Sequence, residues 1–212
     1  MNRKAQTANY DIYLVGVGGQ GVLTLSDLIA ETAVNNDVPV SLYPTKGMAQ
    51  RGGSVKVQVR LGRELVGPNM PERRADLVIA MELSEALKAV RFVKGDHFSP
   101  PGSDFLLYGH VWAPTAVMLG QAEYPTLEQV QEQVQEAGCK LHYLDPKELP
   151  LYEGAPVAAN VYVLGAAAGR TGLGEVLKPS DLARTVENRW EKAAERNGFA
   201  FQAGLGSMDN AQ

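Results

Sequence analysis

The segment YDIYLVGVGGQG, residues 10–21, joins an almost continuous apolar run to a glycine-rich turn. The run is rich in β-forming residues, which is typical of a buried central strand, and it predicts a strand over residues 10–16. A helix is predicted over residues 20–35, because apolar side chains recur there at helical spacing. With a second strand over residues 38–43, the stretch predicts a strand–turn–helix–strand unit, the building block of parallel α/β sheets.

The glycines Gly16, Gly18 and Gly21 have the GxGxxG spacing of the dinucleotide-binding fingerprint. Such a turn lets a pyrophosphate approach the backbone, and the N–H groups at the start of the following helix attract anions. The acidic residue that should follow the second strand is missing, because that strand ends in SLYPTKG. This absence disfavours NAD but leaves NADP open, since Lys46 is placed to meet a 2′-phosphate. Whether the glycines hold a ligand or only pack the helix against the strand also stays open.

Strands and helices alternate along the rest of the chain, without an internal repeat or a linker. Residues 54–61 alternate apolar and polar side chains, which predicts a strand with one buried and one polar face. A tight turn at Gly62-Arg63 into a strand over residues 64–66 would give a hairpin or a meander. Further strands are predicted over residues 75–81, 105–108 and 139–144, and helices over residues 83–92, 126–137 (with a capping box), 156–169 (with Pro156 in its first turn) and 180–196.

These elements predict one α/β domain, a Rossmann-like three-layer fold with a mostly parallel sheet and an antiparallel hairpin or edge. We place this domain in residues 10–204, with a flexible N-terminus in residues 1–9 and a flexible tail in residues 205–212. The small side chains of Gly165-Ala-Ala-Ala168 are expected to let a neighbouring backbone pack closely against their helix.

The composition excludes several classes of function. The 212-residue chain has a formal net charge of −4 and is 45% hydrophobic and 21% charged, which argues for a globular protein and against a general nucleic-acid binder. No apolar run approaches the roughly 20 residues of a membrane span, and residues 1–8 lack the apolar centre of a signal peptide, so we expect a cytoplasmic protein.

The one cysteine, Cys139, cannot supply an iron–sulfur cluster or a structural zinc site, and we expect it to be buried at the start of a strand. His97, His110 and His142 lack metal-ligand spacing.

A second glycine-rich loop, PTKGMAQRGG over residues 44–53, contains Arg51, Gly52 and Gly53. An arginine fork beside two glycines can recognise a carboxylate or a phosphate bidentately, on a backbone that a ligand can approach. In a doubly wound sheet both glycine loops lie near carboxyl ends of strands, where ligands bind. For the arginine taken alone, a solvated position in a surface loop is the simpler interpretation.

Two stretches taken together argue against a merely solvated arginine. They are GVGGQGVLTLSDLIAE (residues 16–31) and KGMAQRGGSVKVQVRLG (residues 46–62). They resemble the gamma-type subunit or domain of the 2-oxoacid:acceptor oxidoreductases, the pyruvate ferredoxin oxidoreductase superfamily. The resemblance is closest to the beta subunit of indolepyruvate ferredoxin oxidoreductase, where GMAQRGG replaces the YG.E.RGG loop of the pyruvate and 2-oxoglutarate enzymes. It is supported by ADLVIAMEL (residues 75–83), NVYVLGAAAG (residues 160–169) and NGFAFQAG (residues 197–204).

The resemblance implies a small subunit of a complex that decarboxylates a 2-oxoacid oxidatively on thiamine pyrophosphate. The acyl group passes to coenzyme A as co-substrate, and the electrons pass through iron–sulfur clusters to ferredoxin. This chain lacks the cysteines for clusters and the GDG motif of thiamine pyrophosphate sites. A larger partner subunit is therefore implied to hold thiamine pyrophosphate, Mg²⁺ and [4Fe-4S] clusters, and no catalytic residue or metal ligand is assigned to this chain.

By the same resemblance, the two glycine loops line the coenzyme A or substrate side of the active site. Thr45 and Lys46 stand where indolepyruvate enzymes often have an acidic residue and a histidine, so aryl pyruvates, phenylglyoxylate and branched 2-oxoacids stay open as substrates.

We expect the partner to cover the polar face of residues 54–61 and the loop over residues 95–125. Glu82 is either an acid of functional interest or a first-turn residue that suits the helix dipole. The implied binding residues are Gly16, Gly18, Gly19, Gln20, Gly21, Arg51, Gly52 and Gly53.

The amino-acid sequence leaves two other functions open. A free-standing NADP-dependent oxidoreductase would need a catalytic acid or base near Gly18, where Tyr43 and Lys46 are the nearby candidates. A non-catalytic scaffold would use its glycines for packing alone, and Arg51→Ala would then leave the turnover of the assembled complex unchanged.

Overall fold

The segment that predicts the fold forms β1 (Tyr10–Val17), which is buried from Asp11 onward. The computed structural model describes residues 9–46, 53–62, 67–90 and 102–207. The other strands are β2 (Val40–Lys46), β3 (Ser54–Leu61), β4 (Leu77–Ala80), β5 (Asp104–Tyr108) and β6 (Lys140–Leu144), with two short strands, β7 (Leu151–Tyr152) and β8 (Ala155–Pro156).

Six of these strands form one sheet in the order β2-β3-β1-β4-β5-β6. β1, β4, β5 and β6 pair in parallel, whereas β3 pairs antiparallel with both β1 and β2. This confirms the predicted mostly parallel sheet with an antiparallel hairpin. β1 and β2 run in the same direction, as the strand–helix–strand unit predicts, but the β2–β3 hairpin places β3 between them.

Helices cover both faces of the sheet. They are α1 (Val22–Asn35), α2 (Leu83–Ala89), α3 (Thr115–Met118), α4 (Leu127–Glu136), α5 (Ala159–Arg170), α6 (Leu173–Val176), α7 (Pro179–Arg189) and α8 (Ala194–Leu205). Side chains of β1 alternate between the faces, so that Ile12 and Leu14 pack with α1 and α5 to α8, while Tyr13 and Val15 pack with α2 and α4. This alternation confirms the predicted three-layer fold. No helix in the described ranges is long and apolar enough to cross a membrane.

Most predicted elements are found near their expected positions, and the capping box of Thr126 and Gln129 is present at the start of α4. The predicted strand over residues 64–66 lies outside the described residues. So do residues 1–8 and 208–212, which make up most of the predicted flexible ends.

Two helix predictions were wrong in their bounds. Pro156 belongs to β8 and pairs with Leu151, because Glu153 and Gly154 adopt positive φ angles that close a tight hairpin, and α5 starts only after it. The predicted helix over residues 180–196 breaks at Trp190, whose backbone (φ −133°, ψ 75°) ends α7. The chain then turns into α8, which packs against both α5 and α7.

Glycines let α5 and α8 approach each other closely. An ideal Cβ atom on Gly165 of α5 would lie 2.0 Å from the carbonyl oxygen of Phe201, and one on Gly204 of α8 would lie 2.0 Å from that of Tyr162. A methyl group cannot fit at either position without separating the helices. The close packing expected at Gly165-Ala-Ala-Ala168 is confirmed.

The polar face of β3 is only half exposed, which corrects its prediction as a partner surface. Gln58 and Arg60 are buried beneath the segment 67–70 of the same chain. Gln58 accepts a hydrogen bond from the backbone N–H of Met70, and Arg60 donates to the carbonyl oxygen of Gly67 (2.8 Å). The polar residues of this half of the strand are therefore occupied within the chain, and only the half near Ser54 stays accessible.

Cys139 lies just before β6 and is half-buried rather than buried, because its side chain packs at the edge of the core between α4 and β6. Burial raises the pKa of its thiol to about 11. At pH 8 only about one thiol in 1,000 is then ionised, and the thiolate is the reactive form.

We therefore expect iodoacetamide to alkylate the native protein at pH 8 about 200-fold more slowly than the protein unfolded in urea, whose thiol has an ordinary pKa near 8.5. Because the chain has one cysteine, mass spectrometry of the intact protein reads this rate directly. Equal rates in the two states would contradict the raised pKa.

Candidate functional site

A cleft of about 650 Å³ opens at the carboxyl ends of β1, β4 and β5. This is the edge of an open α/β sheet at which ligands bind. Four segments line it, namely the turn after β1, the residue after β4, the chain that leaves β5 and the start of α5. The lining residues are Gly18 to Gly21, then Met81, then Tyr108, His110 and Trp112, and finally Ala158 to Asn160.

The glycine turn presents its backbone to this cleft. Gly19 and Gly21 adopt φ angles of 102° and 76°, which residues with a side chain rarely adopt. Gly21 is also pressed against α5, since a Cβ atom there would lie 2.5 Å from Nδ2 of Asn160. Gly16 is buried beneath the turn and does not line the cleft; its Cβ would lie 2.6 Å from Oε1 of Gln20.

Gln20 braces the turn with both ends of its amide. Its Oε1 accepts a hydrogen bond from the N–H of Val17 (2.9 Å), and its Nε2 donates to the carbonyl oxygen of Met81 (2.8 Å). The side chain thereby joins the end of β1 to the end of β4. Gln20 fixes the shape of the turn, and its amide is engaged within the chain.

Gly53, the last residue of the second glycine-rich loop, meets the glycine turn at the carboxyl end of β1. The N–H of Gly18 donates a hydrogen bond to the carbonyl oxygen of Gly53 (2.9 Å). Gly53 thus joins the turn, although it does not line the cleft. Arg51 and Gly52, the other candidate residues of the second loop, lie outside the described residues.

Two helix N-termini converge on the cleft. α1 begins after Gly21 and α5 after Ala158, and neither has a side-chain cap or an acidic residue in its first turn. By contrast, α2 and α4 carry both features. An uncapped helix start offers N–H groups and a partial positive charge, so the cleft favours an anionic ligand group.

Tyr108, His110 and Trp112 form an aromatic wall that lines part of the cleft. The rings of Tyr108 and His110 are parallel within 3°, with centroids 6.3 Å apart, and the Trp112 ring lies 6.4 Å from that of His110. Burial raises the pKa of the Tyr108 phenol, so this ring is neutral at physiological pH. Tyr108 is buried, so the accessible rings on which a planar group can stack are those of His110 and Trp112.

Glu82 lies behind this wall and is fully buried. It is the N-cap of α2, where its carboxylate accepts hydrogen bonds from the N–H of Glu85 and the hydroxyl of Ser84 (2.8 Å each). The other carboxylate oxygen accepts from the Tyr124 hydroxyl and from the N–H of Trp112 (3.4 Å). Of the two interpretations of Glu82, the structure favours the one at the helix start, with an added role in holding the aromatic wall.

The Tyr124 phenol stays protonated as the donor in this contact. Burial, together with its hydrogen bond to Glu82, raises the pKa of Tyr124 to about 12. The donor is therefore present across the physiological pH range, and the chain that follows β5 is held at two points.

The sequence pattern of the pyruvate ferredoxin/flavodoxin oxidoreductase family matches residues 11–207. The chain belongs to this family. Indolepyruvate oxidoreductase subunit IorB of Methanothermobacter thermautotrophicus is 33% identical to it over 199 residues, which cover 94% of this chain and 97% of that protein. The resemblance drawn from the two glycine-rich stretches is thereby confirmed.

Solved structures share the fold of this oxidoreductase family member. Pyruvate oxidoreductase subunit PORC of Thermotoga maritima superposes with a TM-score of 0.63 at 22% identity, over 93% of this chain and 95% of that chain. The 2-oxoglutarate:ferredoxin oxidoreductase of Magnetococcus marinus, solved with 2-oxoglutarate, coenzyme A and succinyl-CoA bound, superposes with a TM-score of 0.61 at 21% identity. That match covers 92% of this chain and 30% of the longer chain.

Some residues that line the cleft were not predicted from the sequence, because they come from segments far from the glycine turn along the chain. Asn160 donates to the carbonyl oxygen of Gly21 (3.4 Å) across a separation that no local pattern reports. The aromatic wall left a weak signal, an alternation of ring side chains directly after a predicted strand.

Within the described ranges no group of three or more His, Cys, Asp or Glu side chains could hold a metal ion. His142 is fully buried beside Asp104 (2.9 Å), and His97 lies outside the described residues.

Proposed function

We propose that this chain is the small subunit of an indolepyruvate-type 2-oxoacid:ferredoxin oxidoreductase, and that its cleft binds coenzyme A. The complex would decarboxylate the 2-oxoacid oxidatively to its acyl-CoA in the cytoplasm. The observation that carries the proposal is the cleft between two uncapped helix N-termini, in a chain that is 33% identical to an indolepyruvate oxidoreductase subunit. Thiamine pyrophosphate, Mg²⁺ and [4Fe-4S] clusters belong, in this proposal, to a larger partner subunit.

The chemistry of the cleft fits coenzyme A. Its pyrophosphate would lie against the backbone of Gly19 and the starts of α1 and α5, where N–H groups and helix dipoles favour negative charge. Its adenine ring would stack on the aromatic wall. Coenzyme A is also a bound ligand of the Magnetococcus marinus enzyme that shares the fold. When bound, it supplies the thiol that accepts the acyl group.

The residues of this chain bind and orient in this proposal rather than transfer protons. Gly21 and Gln20 fix the turn, Gly16 supports it from beneath, and Gly53 holds it through its carbonyl oxygen. Arg51 and Gly52 are proposed to contact the ligand on sequence grounds, because an arginine fork suits phosphate. Loss of turnover in Arg51→Ala would support that contact, and unchanged turnover would contradict it.

A single substitution at the start of α5 tests the cleft. Ala159 is half-buried and lines it. We expect Ala159→Asp to raise the KM for coenzyme A of the assembled complex by about 10-fold or more, because a carboxylate there repels the phosphates at close range in a partly desolvated site. We expect kcat at saturating coenzyme A to stay unchanged. Steady-state viologen reduction with varied coenzyme A measures both parameters.

Ala159→Asn is the matched control, because asparagine has the size of aspartate without its charge. Both residues are acceptable near a helix start, so neither variant should destabilise α5. A raised KM in Ala159→Asp alone supports phosphate binding at this point. An equal rise in both variants would indicate steric blockage, and an unchanged KM in both would place coenzyme A elsewhere.

Indolepyruvate is the proposed substrate because of the relatives' names and the GMAQRGG loop, which resembles that branch. Initial rates of the complex with indolepyruvate, phenylglyoxylate, pyruvate, 2-oxoglutarate and a branched 2-oxoacid test this choice. We expect the highest kcat/KM with indolepyruvate. A higher value with another 2-oxoacid would retain the subunit role and change the substrate.

A further inference from the structure

An uncharged surface lies beside the cleft, over residues 109–122. The stretch GHVWAPTAVMLGQA contains no Asp, Glu, Lys or Arg, in a chain that is 21% charged. Four of its apolar side chains are exposed: Val111 (57%), Trp112 (45%), Met118 (70%) and Leu119 (65%). The helix within it, α3, buries none of its residues. We call these four side chains the rim patch.

The composition of the rim patch is that of an interface core. Aromatic residues and methionine are enriched at the centres of protein interfaces, and charged residues are depleted there. Exposed apolar side chains that occur singly need no explanation, but a group that follows one uncharged segment does. The partner of such a surface is itself apolar and uncharged where the two meet.

The rim patch is held in place before any partner binds. The N–H of Leu83 donates to the carbonyl oxygen of His110 (3.0 Å), and the buried Glu82 carboxylate binds both Tyr124 and the N–H of Trp112. These contacts fix the start of the segment at His110 and Trp112, and they fix the chain again at Tyr124, two residues beyond its end. A preorganised surface loses less conformational freedom on association, which favours binding.

We propose that the larger, cofactor-carrying subunit docks on the rim patch and covers the mouth of the cleft. This inference rests on the proposed function. The chain has a single cysteine, so clusters must lie on another chain, and a thiol held in the cleft must reach a reaction centre there. Trp112 belongs both to the cleft and to the rim patch, so a subunit seated on the patch abuts the cleft. A second copy of this chain would bring no cofactor to that position.

The test compares how strongly the larger subunit binds variants with a new aspartate inside the rim patch and a variant with a new aspartate far from it. We expect Met118→Asp and Leu119→Asp each to raise the Kd for the purified larger subunit by about 30-fold or more. Replacing a side chain at the centre of an interface typically weakens binding by a factor of this size. Val34→Asp is the control, since Val34 is equally exposed (64%) and lies at the far end of α1, about 20 Å from the cleft. It should bind like the wild type. Unchanged melting temperatures establish that all three variants fold.

Hydrogen–deuterium exchange gives a second readout that needs no substitution. Amides of residues 109–122 should exchange more slowly in the anaerobically purified complex than in the chain alone. Unchanged exchange there, with wild-type binding by both patch variants, would overturn the inference and leave the proposed function intact. A dimer of the chain alone that Met118→Asp dissociates would assign the patch to a second copy and also overturn it. A wild-type chain that binds no subunit containing iron and thiamine pyrophosphate would instead contradict the proposed function.

Discussion

Arg60→Met is expected to lower the free energy of unfolding by about 3–5 kcal/mol, because it removes the guanidinium of a buried ion pair with Asp11. Nε of Arg60 lies 3.1 Å from Oδ1 of Asp11, and the two side chains are 9% and 1% exposed. Asp11 lies in β1 and Arg60 in β3, directly opposite each other in the sheet. The pair therefore joins the central strand to the antiparallel hairpin that ends near the glycine turn.

Urea denaturation followed by circular dichroism measures this loss. Arg184→Met is the matched control, because Arg184 forms an exposed ion pair with Asp181 (2.7 Å) one helical turn away. Exposed pairs contribute about 0–1 kcal/mol, so the control should unfold close to the wild type. Equal losses in the two variants would contradict the assignment of a buried ion pair to the hairpin.

Gly165→Ala is expected to destabilise the protein by about 2–3 kcal/mol, although alanine favours helices by about 1 kcal/mol over glycine. The added methyl group would lie 2.0 Å from the carbonyl oxygen of Phe201, so α5 and α8 must move apart. The α5–α8 contact belongs to the larger core, which also packs α1 against the sheet. The start of α5, which lines the cleft, should shift with it.

Gly206→Ala is the control for this substitution. A Cβ atom on Gly206 would meet only the carbonyl oxygen of Gln202, at an ordinary 3.5 Å, and its φ of −88° suits any residue. It should change the melting temperature by less than about 2 °C, whereas Gly165→Ala should lower it by about 5 °C or more. A Gly165→Ala variant as stable as the wild type would show that the two helices tolerate separation.

The sequence predicted the central part of the fold because its signals there are local. The apolar run of β1, the glycine turn and the periodicity of α1 each specify their own conformation. The break at Trp190 escaped prediction, since it depends on how α8 packs against α5 and α7. The β7–β8 hairpin also escaped prediction, although its turn residues Glu153 and Gly154 are a local signal. The polar face of β3 was misjudged for the same reason, because the segment that covers Gln58 and Arg60 follows later in the chain.

The candidate site shows the same division. The turn of Gly18 to Gly21 was identified from spacing, and it lines the cleft. Asn160 and the aromatic wall reach the cleft from later segments of the chain, and only the sheet order brings them together. Gly16 was grouped with the binding residues because spacing alone cannot distinguish a glycine that faces a ligand from one that faces the core.

Reduction of viologen by the purified complex tests the central claim most directly. The tagged chain would be isolated anaerobically from its source cells, and the eluate assayed for iron, thiamine pyrophosphate and a co-purifying larger chain. We predict viologen reduction that requires both coenzyme A and a 2-oxoacid and is fastest with indolepyruvate. A chain that elutes alone, without iron or thiamine pyrophosphate, and that shows no reduction dependent on coenzyme A would contradict the account.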